Sequence, residues 1–290
     1  MSDLIETSVF SACKYNARCK FDLPSELREH PLNSVAFVNQ VMEIQERLGF
    51  DPANVDGKLG IHTFTELMKS LNPVSSEYVI FNHKRIQLEK RDEYILRTYD
   101  EKDGLDLHRF GNFSYRKSEV QGVVLHWGGL DARHCFNVFS SPNRKVSSHF
   151  LIGKEGDQCI VYQVLDLKFR AWHGGKEVND WTVGIDICQQ PSLKWKDHYM
   201  KKGYDIEQIE NPTDRGDKEI LSLDPVIKEG ASLFLTDLME ALDLEMVVPA
   251  NHEVQSQLKR FTVLGHHHVS SRKWDVACWW DEIIQLPNLV

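Results

Sequence analysis

Two histidines in this 290-residue chain stand at the ends of short apolar runs. Val123-Val124-Leu125 delivers His126, and Phe261-Thr262-Val263-Leu264-Gly265 delivers His266. A strand end is a rigid mount, and neutral imidazoles on rigid mounts are common ligands of a catalytic metal. Asp275 follows His266 by nine residues, across the polar stretch Ser270-Ser271-Arg272-Lys273, and a loop of that length can return a carboxylate to the same place. Two imidazoles, one carboxylate and water make a zinc set with an open position. Cys278 competes for the third place because zinc accepts sulfur readily, and His268 is a weaker competitor. Gly128 and Gly129, just after His126-Trp127, let chain and substrate approach closely.

The elements that must carry these residues can be read from periodicity. From residue 122 onward the pattern is α/β. Residues 123–125 form a continuous apolar run, as in a strand buried on both faces. A helix is expected over 131–139, and strands at 150–152 and 160–162 flank a turn and form a hairpin. Further strands are expected at 183–187 and 261–264. Asp224-Pro225 opens a helix with a cap and a proline at its first position, and Ile227, Ala231, Phe234, Leu238 and Leu242 share one face. The second half is therefore a sheet with helices against it. Upstream, Phe37, Val41, Ile44 and Leu48 line a helix over 33–48, capped by Asn33 or Ser34 and ended by Gly49. Phe64, Leu67, Met68 and Leu71 mark a second helix that stops before Asn72-Pro73. Tyr78 to Phe81 and Tyr94 to Leu96 resemble short strands separated by a charged run. The expected division is a small all-α domain at 1–75, a connector with short strands at 76–116 and an α/β domain at 117–290.

Composition limits the function classes. With 34 Lys+Arg against 43 Asp+Glu the formal charge is -9, which provides no general attraction for nucleic acid or anionic lipid. No stretch approaches the roughly 18 uncharged apolar residues of a membrane span; the best, 231–242, is broken by Asp237 and Glu240. Charged residues recur through the first 30 positions, so synthesis in the cytoplasm without a signal peptide is expected. Six cysteines without a Cys-x-x-Cys pair are expected to be reduced and mostly buried.

Five motifs in order give the second half a close resemblance to the zinc-dependent N-acetylmuramoyl-L-alanine amidases, which share the peptidoglycan recognition protein fold. They are Val123-Val124-Leu125-His126-Trp127, Ser147-Ser148-His149-Phe150-Leu151-Ile152, Arg170-Ala171-Trp172-His173-Gly174-Gly175, Asn179 with Val183-Gly184-Ile185-Asp186, and Gly265-His266 with Arg272-Lys273-Trp274-Asp275. The resemblance implies a central mixed β-sheet flanked by helices, with Zn2+ held by His126, His266 and Asp275. It implies that Lys273 and Asp186 are catalytic, Asp186 standing where relatives usually carry a glutamate. It also implies that His149, Trp172, His173 and Asn179 line the substrate cleft. Val276-Ala277-Cys278 departs from the proline-glycine usual after the aspartate.

The first domain resembles the three-helix peptidoglycan-binding domain through Ile44-Gln45, Leu48-Gly49-Phe50 and Val55-Asp56-Gly57-Lys58-Leu59-Gly60 followed by Thr63. Together the two resemblances imply a hydrolase of the amide between N-acetylmuramic acid and the first L-alanine of the stem peptide. We expect a monomer whose partner is bacterial peptidoglycan, acting on the wall in the manner of a phage endolysin, a virion-borne lysin or an injected effector. The alternatives are an inactive muropeptide-recognition module of the same fold and a metal-dependent hydrolase of another amide.

Overall fold

The computed structural model describes residues 2–18, 23, 27–60, 62–64, 67, 77–89, 91–252 and 256–284. The chain divides into two compact units, 1–74 and 75–290.

In the first unit, helix α1 spans Ser2–Asn16 and α2 spans Val35–Arg47. Ser34 caps α2 by accepting from the Phe37 amide at 3.1 Å, and Gly49 beyond it takes φ +75°. Phe37, Val41 and Ile44 face a core shared with Leu27, Leu59 and Leu67. The expected second helix is described at His62, Thr63, Phe64 and Leu67, while Met68, Leu71, Asn72 and Pro73 lie outside the described residues. Between the helices, Gln45 organises the loop: its carbonyl accepts from the amides of Asp56 and Gly57 (3.1 and 2.9 Å), and its amide donates to Asp56 Oδ1 and Thr63 Oγ1. Gly57 sits at φ +67°, where a Cβ would come 2.6 Å from Val38 Cγ1, so both the conformation and the space demand glycine.

In the second unit the strands are β1 Tyr78–Phe81, β2 Lys84–Gln87, β3 Tyr94–Thr98, β4 Phe113–Tyr115, β5 Gly122–Trp127, β6 Phe150–Glu155, β7 Gln158–Gln163, β8 Phe169–Ala171, β9 Thr182–Ile187, β10 Gln208–Glu210, β11 Glu219–Leu221 and β12 Val263–Gly265. Six of them form the central sheet in the order β12-β5-β9-β6-β7-β3. All neighbours are parallel except the β6-β7 hairpin. This is the expected mixed sheet. β3 adds an edge strand from the segment expected to be a connector, and β1 pairs with β2 in a hairpin that the charged run concealed. β12 begins at Val263, two residues later than expected, because Phe261 still caps the 3-10 turn Leu258–Arg260 and the Thr262 amide donates to the Val247 carbonyl.

Helix α3, Ala132–Phe139, is capped by Asp131 accepting from the His134 amide, and buries Ala132, Cys135 and Phe139. On the other face lies α4, Pro225–Ala241, capped by Asp224 accepting from the Val226 amide. Ile227, Ala231, Phe234 and Leu238 of α4 pack with Val123, Leu125, Phe150, Ile152, Val183 and Ile185 in the largest core cluster. Each of the larger of these side chains contributes roughly 1.5–3 kcal/mol through burial. Truncating Phe234 to alanine would cost about 3–5 kcal/mol. The sheet is thus clamped on both faces, and its strand ends are held in place.

Candidate metal and catalytic site

β5 and β12 are parallel neighbours, with Leu125 paired to Gly265, so both strands finish at the same end of the sheet. His126 continues β5, and His266 opens the single helical turn that follows β12. Asp275 returns on the 3-10 segment Asp275–Trp279, anchored by the buried Val276, Ala277, Cys278 and Trp279. The result is a triangle of ligand atoms. His126 Nδ1 lies 3.1 Å from His266 Nδ1 and 3.4 Å from Asp275 Oδ2, and His266 Nδ1 lies 2.9 Å from Asp275 Oδ2. A tetrahedral zinc with ligands at 2.0–2.1 Å needs edges of about 3.3 Å, so the three atoms fit around one ion. Together they make a group that could hold a metal.

The electrostatics agree with this fit. Burial alone would raise the Asp275 carboxyl, but hydrogen bonding with His126 and His266 outweighs it and holds the group well below the usual carboxylate range. Burial also pushes His266 down, which favours the neutral, metal-ready ring. Asp275 thus offers an anion, and His266 a lone pair.

Neither competitor reaches the triangle. Cys278 is buried in the core, with its thiol directed to the Asp275 carbonyl at 3.7 Å, and burial pushes that thiol up. His268 accepts from the Gly265 amide at 2.9 Å and places its other nitrogen 3.1 Å from the Ala250 carbonyl.

Asp186 pairs across to His126 on the parallel strand β9, which puts both side chains on one face of the sheet. It is only 7% exposed, and burial pushes its carboxyl up, with Asp275 adding to the shift. Gly128 leaves room beside it: a Cβ there would sit 3.3 Å from Asp186 Oδ1 and 2.5 Å from Cys135 Sγ. Lys273 is exposed, two residues before Asp275, with its carbonyl held by Arg215 at 3.3 Å.

The residues expected to line the cleft divide differently from expectation. His149 is fully buried; its Nδ1 accepts from the Gly184 amide at 3.0 Å and its Nε2 donates to the Phe169 carbonyl at 3.0 Å. Burial, with help from Arg116, drops its pKa to about 3. It is a strut between strands, with no surface left for substrate. Asn179 is buried as well, and its Oδ1 accepts from the amides of Gly174 and His173, shaping the Trp172-His173-Gly174 loop. His173 is partly buried, with Nδ1 3.1 Å from His126 Nε2 and Nε2 3.4 Å from Thr182 Oγ1. Trp172 is partly exposed.

Sequence reasoning missed four participants. The rings of Trp127 and Trp274 meet at 5.7 Å beside the triangle, and their adjacency to His126 and Asp275 was the available signal. Gly216, at φ +81°, lies against the Trp274 indole so closely that a Cβ would come within 2.9 Å of it. Arg116 donates to the carbonyls of Leu167, Phe169, Asn179, Asp180 and Thr182, tying together the loops around the site. Nothing in the sequence marked it apart from other arginines.

Residues 116–216 match the family model described as N-acetylmuramoyl-L-alanine amidase. That segment carries His126 and Asp186 and ends before Lys273 and before His266 and Asp275, the two residues that the fold brings back beside His126. No curated protein matches the chain. Among solved structures, the catalytic domain of XlyA is similar at 17% identity and a TM-score of 0.38, over 65% of this chain and 95% of that one. A mutant endolysin from Bacillus subtilis is similar at 17% and 0.37, over 65% and 95%. PlyL is similar at 15% and 0.36, over 66% and 90%.

Proposed function

We propose that this chain is a zinc-dependent N-acetylmuramoyl-L-alanine amidase that cleaves peptidoglycan. The observation that carries the proposal is the His126, His266 and Asp275 triangle beside Asp186, with His126 and Asp186 paired on two strands inside the matched segment. Zinc bound there supplies Lewis acidity, which polarises the amide carbonyl and makes water nucleophilic near neutral pH. Two imidazole ligands and one carboxylate would leave a bound zinc with net positive charge.

Asp186 orients the attacking water and takes its proton, then returns one to the leaving amine nitrogen of L-alanine. Its burial raises its pKa, which suits a group that must hold the proton between those two events. Lys273, exposed at the rim, stabilises the negative charge that develops on the carbonyl oxygen. Trp127 and Trp274 give the cleft an aromatic wall.

We further propose that the first unit binds the wall polymer. Its support is an open groove of about 580 Å³, lined by Tyr15, Phe50, Asp51, Asp56, Lys58 and His62 among others, which combines aromatic faces with charged groups. The expected action on the bacterial wall follows from this pairing of groove and hydrolase.

The test is to digest purified sacculi with zinc-loaded protein and to quantify new alanine amino termini and new reducing ends, with chelated protein and His126→Ala alongside. Metal-dependent release of alanine amino termini without reducing ends is the expected result. Binding to several wall types with no release would overturn the amidase reading in favour of a recognition module.

A further inference from the structure

The ring nitrogens around His126 form a chain of hydrogen bonds whose direction can be worked out from its far end. Thr182 Oγ1 donates its single proton to the Val178 carbonyl at 2.8 Å. It can therefore only accept from His173 Nε2, 3.4 Å away, so His173 carries its proton on Nε2. His173 Nδ1 is then an acceptor, and the atom it faces at 3.1 Å is His126 Nε2. His126 must donate there, which leaves the lone pair on Nδ1, the atom that faces His266 and Asp275.

The His173 ring is held for this task. Asn179 Oδ1 accepts from the His173 and Gly174 amides. The ring lies against Gly184 of β9, where a Cβ would come 2.6 Å from His173 Cγ. Any side chain at Gly184 would push the ring away from His126.

Resting on the zinc reading above, we infer that His173 is a positioning residue: with Thr182 behind it, it fixes the tautomer and orientation of His126 so that Nδ1 is presented to the metal. A metal-bound histidine whose other ring nitrogen loses its partner typically loses about 10- to 100-fold in metal affinity. This role replaces the substrate contact expected from sequence, since both His173 ring nitrogens are already engaged.

The test compares zinc affinity, by competition with a chromophoric chelator, for the full chain and for His173→Phe, His173→Gln and Thr182→Val. The nitrogen-15 spectrum of the His126 ring is recorded in the metal-free protein. His173→Phe keeps a ring but no acceptor, and should weaken zinc binding about 10- to 100-fold and abolish the single Nε2–H tautomer of His126. His173→Gln offers an acceptor to His126 and a donor to Thr182, and should recover most of the affinity. Thr182→Val, a near-isosteric change behind His173, should weaken binding about 3- to 10-fold and provides the answer if His173→Phe does not fold. Wild-type affinity in His173→Phe, or in Thr182→Val if that is the variant that folds, would overturn the inference while leaving the zinc reading intact. A wild-type chain that binds no zinc would overturn the zinc reading itself, and the inference with it.

Discussion

The rings of His126 and His266 and the rings of His149 and His268 are all sheltered, yet they meet different partners. At the shared end of β5 and β12, Nδ1 atoms from two elements point at each other and at a carboxylate, all within hydrogen-bonding distance. In the interior of β9 and in the turn after β12, ring nitrogens meet backbone amides and carbonyls. Two lone pairs and an anion converging on one point repel unless a proton or a cation sits between them. A ring that bridges an amide and a carbonyl is already satisfied. The difference lies in the neighbours and not in the residue type, and burial alone does not distinguish a ligand from a strut.

The sharpest way to break this comparison is to remove one member from each set. His126→Ala, His266→Ala or Asp275→Ala should abolish stoichiometric zinc by metal analysis and lower amidase activity on the order of 1,000-fold or more. His268→Gln should keep its zinc, at a cost in thermal stability. A zinc content that falls equally in both groups would erase the distinction.

The next effects should fall on chemistry with the metal still in place. Asp186→Asn should cost about 100-fold or more in kcat while zinc content stays at the wild-type level. Lys273→Ala should cost about 100- to 1,000-fold, again with zinc retained. Loss of zinc from Asp186→Asn would make that residue part of the coordination rather than a proton carrier.

The struts predict a pH effect that zinc does not require. His149 has its folded pKa lowered to about 3, and His268 to about 4, both chiefly by burial. An unfolded histidine titrates near 6.5, so below that pH the unfolded chain binds protons that the folded chain refuses. Stability should therefore fall as the pH drops from about 6.5, by about 2 kcal/mol for each such ring by pH 5. Asp275, with its pKa depressed in the folded state, adds a further loss only below the ordinary carboxylate range. The melting temperature of metal-free protein between pH 7 and 5 measures this, and a flat profile would mean that the rings are not buried neutral.

How much of this was legible in the sequence depended on whether the signal was local. β5 and α4 announced themselves, the first as an apolar run buried on both faces and the second through the Asp224-Pro225 start and its one-sided stripe. The β1-β2 hairpin did not. Its turn takes Asn82 and His83 through positive φ without a glycine, and Lys84, Arg85 and Gln87 stay exposed, so no alternation shows. β3 was read as a strand, but its parallel pairing with β7 joins residues far apart in the chain, and parallel pairing leaves no turn to read. At the site, residue types and strand ends picked out His126 and His266. The proton directions around His173, and the consumption of both His149 nitrogens by backbone, depend on contacts across three strands that no spacing rule encodes.

The smallest expected effect tests the third ligand proposed above. Cys278 follows Asp275 by three residues in the same 3-10 segment, so both side chains leave it on the same side, and a shift of the segment by one turn would exchange their places. What fixes the segment's position is packing: Val276, Ala277, Cys278 and Trp279 are all buried, and the Trp279 indole donates to the Leu221 carbonyl at 3.1 Å. Bringing Cys278 to the ligand position would pull Val276, Ala277 and Trp279 from the places they fill in the core. Cys278→Ser should therefore keep zinc and activity within about twofold and cost about 1 kcal/mol in stability, by metal analysis and thermal unfolding. Zinc lost from Cys278→Ser but kept by Asp275→Ala would show that the segment sits one turn further along in solution, and would move the thiol from the packed set to the ligand set.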